Sequence, residues 1–434
     1  MRLSSREGGR RGLNAFGLLV AALILLPLVG WAGLFGARQI WASYHFRAAR
    51  AALEEYHLAD AHRHLKQCLE VWPDDPSARL LAVRAARLAE DYDDAERHLR
   101  EVQRVQGVSD TTSLEWAMLQ AHYGDLDSVE VYLRSLLAEG HPTSFYILDA
   151  LTAGYVRMYR NADALAGIKI WLDQQPDCIQ ALSYRGRINQ RLHAYQNAAA
   201  DFRKVVEADP SRDNVRLRLV ACLLEFNQTN EALQHAQELY KNKPDDPEVI
   251  VVLANCFYSL GQFDEGAGLL DKLLEKDPNY APALIGRGQI ALQTQKSDDA
   301  LKYLRKAVDL SPIDVRANHE LYRCLEQLGM VKEAEQQHQK LLQLQKNVER
   351  LIEISNRDMA RSPNDPALHT ELGNLMITLA QENLGERWLL SALQKDPNYG
   401  PAHQSLADFY EKKGDHSKAR QHRERAQKDS SHKS

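Results

Sequence analysis

Three histidines and one cysteine near the start of the chain come closest to a metal-binding pattern. His57, His62 and His64 precede Cys68, and imidazole and thiolate are the ligands that zinc prefers. Residues four apart, such as His64 and Cys68, can share one face of a helix, whereas His62 and His64 cannot. Cys68 also falls at a small apolar core position of the repeat described below. We therefore predict no metal site.

Catalytic motifs are absent from the sequence. There is no phosphate-binding G-x-x-x-x-G-K-[ST], no H-E-x-x-H and no G-x-S-x-G. Gly286-Arg-Gly288 resembles the start of a phosphate loop, but it follows no strand and falls where the repeat needs small side chains. No stretch outside the repeats is long enough for a catalytic domain. We predict a protein that is not an enzyme and uses no cofactor.

The five cysteines do not form a redox or metal motif, since none belongs to a C-x-x-C pair. Cys256 follows Cys222 by one repeat and Cys324 follows Cys256 by two, so all three share one position of the repeat. Equivalent positions of adjacent helix pairs lie roughly 10 Å apart, beyond the ~7 Å reach of a disulfide. We expect these thiols to pack as small apolar groups.

Charge divides the chain unevenly. Residues 1–40 carry five arginines and one glutamate, a net charge of +4. Because the net charge of the whole chain is −5, the remaining residues have a net charge of −9. An acidic body lacks the basic surface that general nucleic-acid binding needs. We predict neither a nucleic-acid partner nor a small-molecule substrate.

Residues 13–36 form an uncharged, mostly apolar run that follows a basic tail at residues 1–12. This run is long enough to cross a bilayer core as a helix, whereas a cleaved signal peptide has a shorter apolar region and a small-residue cleavage site. We predict a retained signal-anchor helix. Because four arginines precede it, the positive-inside rule places the N-terminus in the cytoplasm. The body is then extracytoplasmic, which means periplasmic in a bacterium.

Regular prolines and small residues indicate that most of the chain is built from a sequence repeat. Five prolines are spaced by 34, and an alanine or glycine lies twelve positions before each. Between these marks, apolar residues recur at three-four spacing in two segments separated by a polar turn, which is typical of a helix–turn–helix unit. These prolines are Pro176, Pro210, Pro244, Pro278 and Pro312.

This unit resembles the tetratricopeptide repeat. The family's small residue at position 8 is found at Gly186 and Gly288, and its large apolar residue at position 24 at Phe202 and Leu304. The resemblance implies an all-α, right-handed superhelical solenoid of about eleven units behind the single transmembrane helix. We place nine units in residues 42–348, a helical insertion in 349–365 and two further units in 366–433. For the insertion, the alternatives are an extended second helix of unit nine or an extra helix.

The resemblance also implies where partners bind, because first helices of such repeats line a concave groove. Arginines at groove positions would suit extended peptides that carry carboxylates. This predicts a membrane-anchored scaffold or adaptor that mediates protein–protein interactions in the assembly of a membrane or envelope complex. The alternative is a chaperone-like or import-receptor protein with many clients. The candidate partner-binding residues are Arg50, Arg84, Arg87, Arg187, Asn255, Tyr258, Arg316 and Arg323.

Overall fold

The computed structural model describes the backbone of residues 33–432 and the side chains of residues 33–427. All regular structure in this range is helical, which confirms the all-α part of the predicted fold class. Helix α1 spans residues 33–54. The helices that follow up to the middle of the chain are α2 Leu58–Val71, α3 Pro76–Leu88, α4 Tyr92–Gln106, α5 Asp110–Tyr123, α6 Glu130–Ala138, α7 Ser144–Arg157, α8 Asn161–Gln174, α9 Ile179–Arg191, α10 Tyr195–Ala208, α11 Asp213–Glu225 and α12 Thr229–Asn242.

The second half continues the alternation and then departs from it once. The remaining helices are α13 Pro247–Ser259, α14 Phe263–Lys276, α15 Ala281–Gln293, α16 Ser297–Leu310, α17 Val315–Gln327, α18 Val331–Glu353, α19 Met359–Arg361, α20 Pro366–Thr378, α21 Glu382–Lys395, α22 Gly400–Lys412 and α23 His416–His432. Helices α1 to α18 form nine successive pairs, and α20–α21 and α22–α23 form two more. From Pro76 onwards, the first helix of each pair begins within one residue of the unit starts that the repeat register predicts, which lie near residues 76, 110, 145, 179, 213, 247, 281, 315, 366 and 400.

Aspartate caps start several of the first helices. The carboxylates of Asp75 and Asp314 each accept a hydrogen bond of 2.7 Å from the backbone N–H three residues later. Asp246 and Asp365 also cap their helices, each accepting from the backbone N–H two residues later, with a proline at the first helical position. Such caps satisfy backbone donors that the helix itself leaves unpaired.

Position 15, in the turn between the two helices of a pair, has a left-handed backbone in all eleven pairs. Four pairs place glycine there, as at Gly261 with φ +75°. The other seven use residues with side chains, such as Tyr56, Gln295 and Ala380, at φ values from +55° to +61°. The left-handed turn therefore belongs to the helix–turn–helix geometry and is imposed even where glycine is missing.

In several pairs, a small residue of the first helix faces a large apolar residue of the second in the core. A Cβ placed on Gly288 would lie 2.6 Å from Leu304, and one on Gly186 would lie 2.5 Å from the Phe202 ring. Leu304 and Phe202 are completely buried. This is the pairing of positions 8 and 24 on which the resemblance was based.

Helix α18 is clearly longer than the other second helices, so the extended-helix account describes the predicted insertion. It continues through a π-helical turn, Ile354–Asp358, into the short α19. Leu344, Leu351, Ile354 and Met359 are buried along this run. The π-helical turn and α19 pack on α8, a helix from a distant pair.

The chain divides into two compact units after Leu119. In the C-terminal unit the solenoid returns to its own beginning, and five polar contacts join the two ends. We call this junction the seam. Its contacts are Arg387 to the carbonyl of Tyr123, Ser391 and Lys395 to Asp127, Gln381 to Tyr159, and Asn161 to Asn356.

The predicted transmembrane helix falls almost wholly outside the described residues, since 13–32 of its 13–36 are not among them. Within residues 33–432, no helix is both long and apolar enough to span a bilayer. The anchor therefore stays a prediction from the sequence.

Candidate peptide-binding face

First helices of successive pairs in the C-terminal unit contact one another, as α9 does with α7 and α13 does with both α11 and α15. These contacts are more extensive than any between second helices of the described residues. The first helices therefore lie on the inner, more tightly curved side of the solenoid. We call the side formed by α9, α11, α13, α15 and α17 the inner face.

A network of polar side chains crosses three consecutive helices of the inner face. Arg316 on α17 donates to the amide oxygen of Asn255 on α13 at 3.1 Å and to that of Gln289 on α15. Gln289 in turn donates to Glu320 at 3.0 Å, and Arg323 donates to the other oxygen of Glu320 at 2.9 Å. Three of the predicted residues are thus brought together, although the chain places them up to two repeats apart.

Tyr258, the fourth predicted residue of this region, accepts a hydrogen bond of 3.1 Å from Gln293. The sequence analysis did not single out Gln289, Gln293 or Glu320. Their signal was a polar side chain at positions 9, 13 and 6 of first helices, where neighbouring pairs face one another. Arg316 and Arg323 remain exposed at the edge of the network.

Three arginines form a positive cluster on α9 and α11: Arg187, Arg191 and Arg218. The Arg191 guanidinium lies 3.7 Å from the centroid of the Tyr159 ring and donates to the Val156 carbonyl at 2.9 Å. Burial lowers the pKa of Arg191, and the cations of Arg187 and Arg218 lower it further. Among the described residues, no carboxylate lies within ion-pair distance of Arg191. We call these residues the arginine cluster.

The three predicted arginines of the N-terminal unit have different surroundings. Arg50 is exposed and pairs with Glu54 at 3.2 Å. Arg84 is largely buried and pairs with the buried carboxylate of Glu115 at 2.6 Å. Arg87 is completely buried, so its guanidinium is out of reach of a partner in this conformation. Its environment fits a packing role better than the binding role proposed from position 12.

A further polar position, number 4 of the first helix, bonds to the proline carbonyl six residues earlier. Asn318 donates to Pro312 at 3.0 Å, and His369 and His403 donate through Nε2 to the carbonyls of Pro363 and Pro397 at 2.8 and 3.1 Å. The repeated proline thus ends one pair and supplies the acceptor that orients the next. This function of position 4 was not predicted from the sequence.

The same position also contacts position 23 of the second helix. In the last pair, Nδ1 of His403 lies 2.8 Å from Nδ1 of His422, and His45 and His64 repeat this at 2.7 Å in the first pair. His64 is therefore engaged with His45, not with Cys68. No cluster of three potential metal ligands occurs among the described residues.

The cysteines at the shared repeat position are buried and not in disulfides. Cys222, Cys256 and Cys324 are each fully buried. Burial raises the pKa of Cys222 and of Cys256 to about 12, so both thiols are protonated at neutral pH. Thiols in this state are poor nucleophiles, which fits the predicted packing role.

Sequence models described as the tetratricopeptide repeat match residues 52–123, 191–249, 223–290, 285–345 and 388–421. Together they cover more than half of the chain. The protein belongs to the tetratricopeptide-repeat family. The chain is a non-enzymatic repeat protein.

Similar proteins share the repeat over part of their length. The chain is 24% identical over 263 residues to anaphase-promoting complex subunit 7 of Mus musculus, covering 60% of this tetratricopeptide-repeat chain and 46% of that relative. It is 23% identical over 167 residues to Hsp70-Hsp90 organizing protein 2 of Arabidopsis thaliana, covering 38% of this chain and 28% of that one. The chain therefore spans about half or less of the length of these relatives.

Two solved structures were also found to be similar to parts of the chain. A human IFIT1 dimer with m7Gppp-AAAA is 16% identical, with a TM-score of 0.41 over 81% of this chain and 89% of that one. MamA is 17% identical, with a TM-score of 0.29 over 40% of this chain and 94% of that one.

Proposed function

We propose that this tetratricopeptide-repeat protein is a scaffold that binds extended, acidic polypeptide segments along its inner face. The observation that carries the proposal is the arginine cluster, because the positive charge of Arg191 is not balanced by a carboxylate of the described residues. A carboxylate supplied by a partner would complete this site with charge-assisted hydrogen bonds.

The polar network gives such a segment further attachment points. Amide and phenol groups at Asn255, Gln289 and Tyr258 can bond to a peptide backbone, whose donors and acceptors are the same in every sequence. Arg316 and Arg323 at its edge add positive charge. An extended peptide that reaches from α9 to α17 would thus meet its main electrostatic contact at the arginine cluster.

The relatives' names fit a scaffold role. One is a subunit of a multiprotein complex and the other an organizing protein for two chaperones. We further propose that residues 13–36 hold the scaffold at a membrane, with its body extracytoplasmic, where it takes part in assembling a membrane or envelope complex. This part of the proposal is supported by the apolar run and its arginine flank alone.

The test uses the purified full-length chain and fluorescein-labelled peptides of one length, rich in Asp and Glu, in Asn and Gln, or in Lys. We expect fluorescence anisotropy to detect binding of the acidic peptides only. The double variant Arg187→Glu, Arg218→Glu should weaken that binding at least about tenfold, the scale of a lost charge-assisted contact.

The matched control is Lys302→Glu, Arg305→Glu on the exposed side of α16, which makes the same change of net charge on a second helix. It should bind acidic peptides nearly as the natural chain does. Equal weakening by both double variants would reduce the effect to overall charge and contradict a site on the inner face. Equal binding of all three peptide types would favour the chaperone-like or receptor alternative.

A further inference from the structure

The seam consists of contacts that water can replace. Lys395 pairs with Asp127 at 3.0 Å, Asn161 donates to Asn356 at 3.0 Å, and Gln381 donates to Tyr159 at 3.3 Å. Hydrogen bonds and ion pairs of partly exposed groups contribute little net free energy, because solvent offers equivalent partners. These polar contacts thus differ from the apolar packing between the two helices of each pair, and the apolar packing beside them among the described residues is confined to the π-helical turn and α19 on α8.

The α5–α8 side of the seam satisfies its other charges by itself. Glu130 accepts hydrogen bonds from Arg160 at 2.6 Å and from Tyr155 at 2.8 Å, and Arg160 also pairs with Asp163 at 2.8 Å. Burial raises the pKa of Glu130, but the bonds and charge of Arg160 outweigh it, so the net pKa lies below its usual value. These pairs would persist if the opposite side moved away.

The side formed by the π-helical turn and α20 is equally self-contained. Arg350 donates to Glu353 and Asp358 at 2.8 Å and holds Glu371 on α20 with two bonds of 2.7 and 2.8 Å. Opening the seam would therefore leave the partners of these charged groups in place on both sides. The desolvation penalty of an unpaired buried charge, the largest cost of separating polar surfaces, would not arise.

Packing across the seam is incomplete. A cavity of about 250 Å³ lies between its two sides, and Asp127, Glu130, Arg160 and Lys395 are among its lining residues. The cavity opens to solvent, so the two sides are not packed against each other there. Charged walls also make the cavity suitable for water.

The chain between the two sides can supply the motion. From α9 to α17, helices pack mainly within a pair and between neighbouring pairs, and the bond from Arg316 to Asn255 is a polar contact that reaches one pair further. Small rotations between pairs can therefore add up along the solenoid without breaking any pair.

We propose that the seam is a gate: the C-terminal unit alternates between a closed ring and an open superhelix, and opening admits a partner to the inner face. The reason is topological. A peptide segment that belongs to a folded partner at both of its ends cannot be threaded through a closed ring, so it reaches the inner face only from the side. This role for the gate rests on the proposed function, whereas the opening itself does not.

The opening can be measured without any partner. The full-length chain with Cys178→Ser receives spin labels at Val131→Cys on α6 and Gln394→Cys on α21, both exposed positions on opposite sides of the seam. The other four cysteines are buried and stay unlabelled. Distances between the labels are then measured by pulsed electron resonance.

We expect a short and a long distance population, with the long one increasing between 0.1 M and 1 M NaCl, as the Debye length falls from ~10 Å to ~3 Å. Asp127→Lys and Lys395→Asp should each increase the long population, because each places like charges opposite one another. The double variant restores opposite charges and should return the distribution to that of the natural seam.

A single short population, unchanged by salt and by both single variants, would overturn the gate and make the seam a permanent joint. Helix content by circular dichroism identifies a single variant that does not fold, and the salt series on the natural seam then decides alone. The peptide measurement is independent, so a fixed seam with peptide binding rejects only the gate. An opening seam without peptide binding rejects only the proposed function.

Discussion

At the scale of single residues, the turn at position 15 requires a backbone conformation that is unfavourable for most of the residues found there. A side chain in the left-handed region crowds its own backbone, and this costs ~1–2 kcal/mol relative to right-handed conformations. Seven of the eleven pairs accept that cost. The apolar surface that the two flanking helices bury offsets this strain, because the helices pack together only if the turn has this conformation.

Replacing one of these residues with glycine should stabilise the protein. Gln295 is exposed and has a φ of +59°, so we expect Gln295→Gly to raise the free energy of unfolding by about 0.5–1 kcal/mol after the greater entropy of an unfolded glycine is subtracted. Urea denaturation followed by circular dichroism measures the change.

The control for this prediction is Lys302→Gly, at an exposed position inside α16. There the backbone is right-handed, so glycine brings no relief and should cost about 1 kcal/mol. If both glycines destabilised the protein equally, the left-handed turn would not be a source of strain.

The histidine pair of the last unit makes stability depend on pH. Burial lowers the pKa of His422, and the neighbouring His403 lowers it further. His403 donates from Nε2 to Pro397, so in the neutral pair its Nδ1 accepts from His422. A second proton on His403 would place two N–H groups face to face.

Since the folded state holds the lowered pKa, the unfolded state binds more protons below its own pKa of about 6.5. We therefore expect stability to be complete above about pH 6.5 and to fall as the pH drops through that value towards the folded pKa. His369 acts in the same direction, because burial lowers its pKa as well. Thermal melting as a function of pH between neutral and mildly acidic buffers measures the loss.

The double variant His403→Asn, His422→Gln tests the cause with chemistry that the protein already uses. In unit nine the same two positions carry Asn318 and Gln337, which are joined by a hydrogen bond of 2.6 Å. The variant should melt near the natural temperature at pH 7.5 and lose part of the decline towards pH 5.5. An unchanged decline would mean that other groups cause the acid sensitivity.

At the scale of helices, the sequence predicts the regular elements well because the residue patterns that indicate them are local. Proline, small residues and three-four apolar spacing all act within a single repeat, and they define every pair from α3 to α17. The π-helical turn could not be predicted in this way. Ile354 and Met359 on this run are buried, in a region that packs on α8, and no local pattern records such a distant neighbour.

Arg350 is the residue that should hold this irregular segment to α20. Its guanidinium bridges Glu353, Asp358 and Glu371, and a lysine ammonium lacks the planar fork that holds Glu371 through two parallel bonds. Because the groups are partly exposed and screened by solvent, we expect Arg350→Lys to cost only about 1 kcal/mol.

The loss should be local. Hydrogen exchange should become faster in α19 and the π-helical turn while α9–α16 keep their protection. As a control, Arg305→Lys, which affects a single exposed pair with Glu333 at 2.6 Å, should leave exchange unchanged. A uniform increase along the chain would show that Arg350 contributes to global stability instead.

At the scale of the whole molecule, the proposed anchor would determine which partners the proposed scaffold meets. If residues 13–36 cross a membrane with the basic tail in the cytoplasm, a C-terminal tag should be cut by protease without breaching the inner membrane. Cleavage only after that membrane is breached would contradict the charge argument and direct the search to cytoplasmic partners. Removing the four arginines before residue 13 should increase the inverted orientation.

Part of the inner face was predicted from the sequence, namely the residues that the repeat register places on it. A fixed register places Asn255, Arg316 and Arg323 at groove positions of their helices, so the repeat alone brings them to one side. The repeat pattern does not show which of the arginines pair with a carboxylate and which do not. Arg84 faces Glu115 and Arg87 is buried, whereas Arg191, which the pattern did not single out, keeps an unbalanced charge.

By itself, the sequence determined the helices, their pairing and the side of each helix that faces inward, because these follow from contacts within one repeat or between adjacent repeats. The tertiary structure alone decided the arginine cluster, the π-helical turn and the seam. Each depends on the cumulative rotation from pair to pair. A small change in that rotation, repeated over about seven pairs, determines whether Asp127 meets Lys395 at all, and no short stretch of sequence encodes the sum.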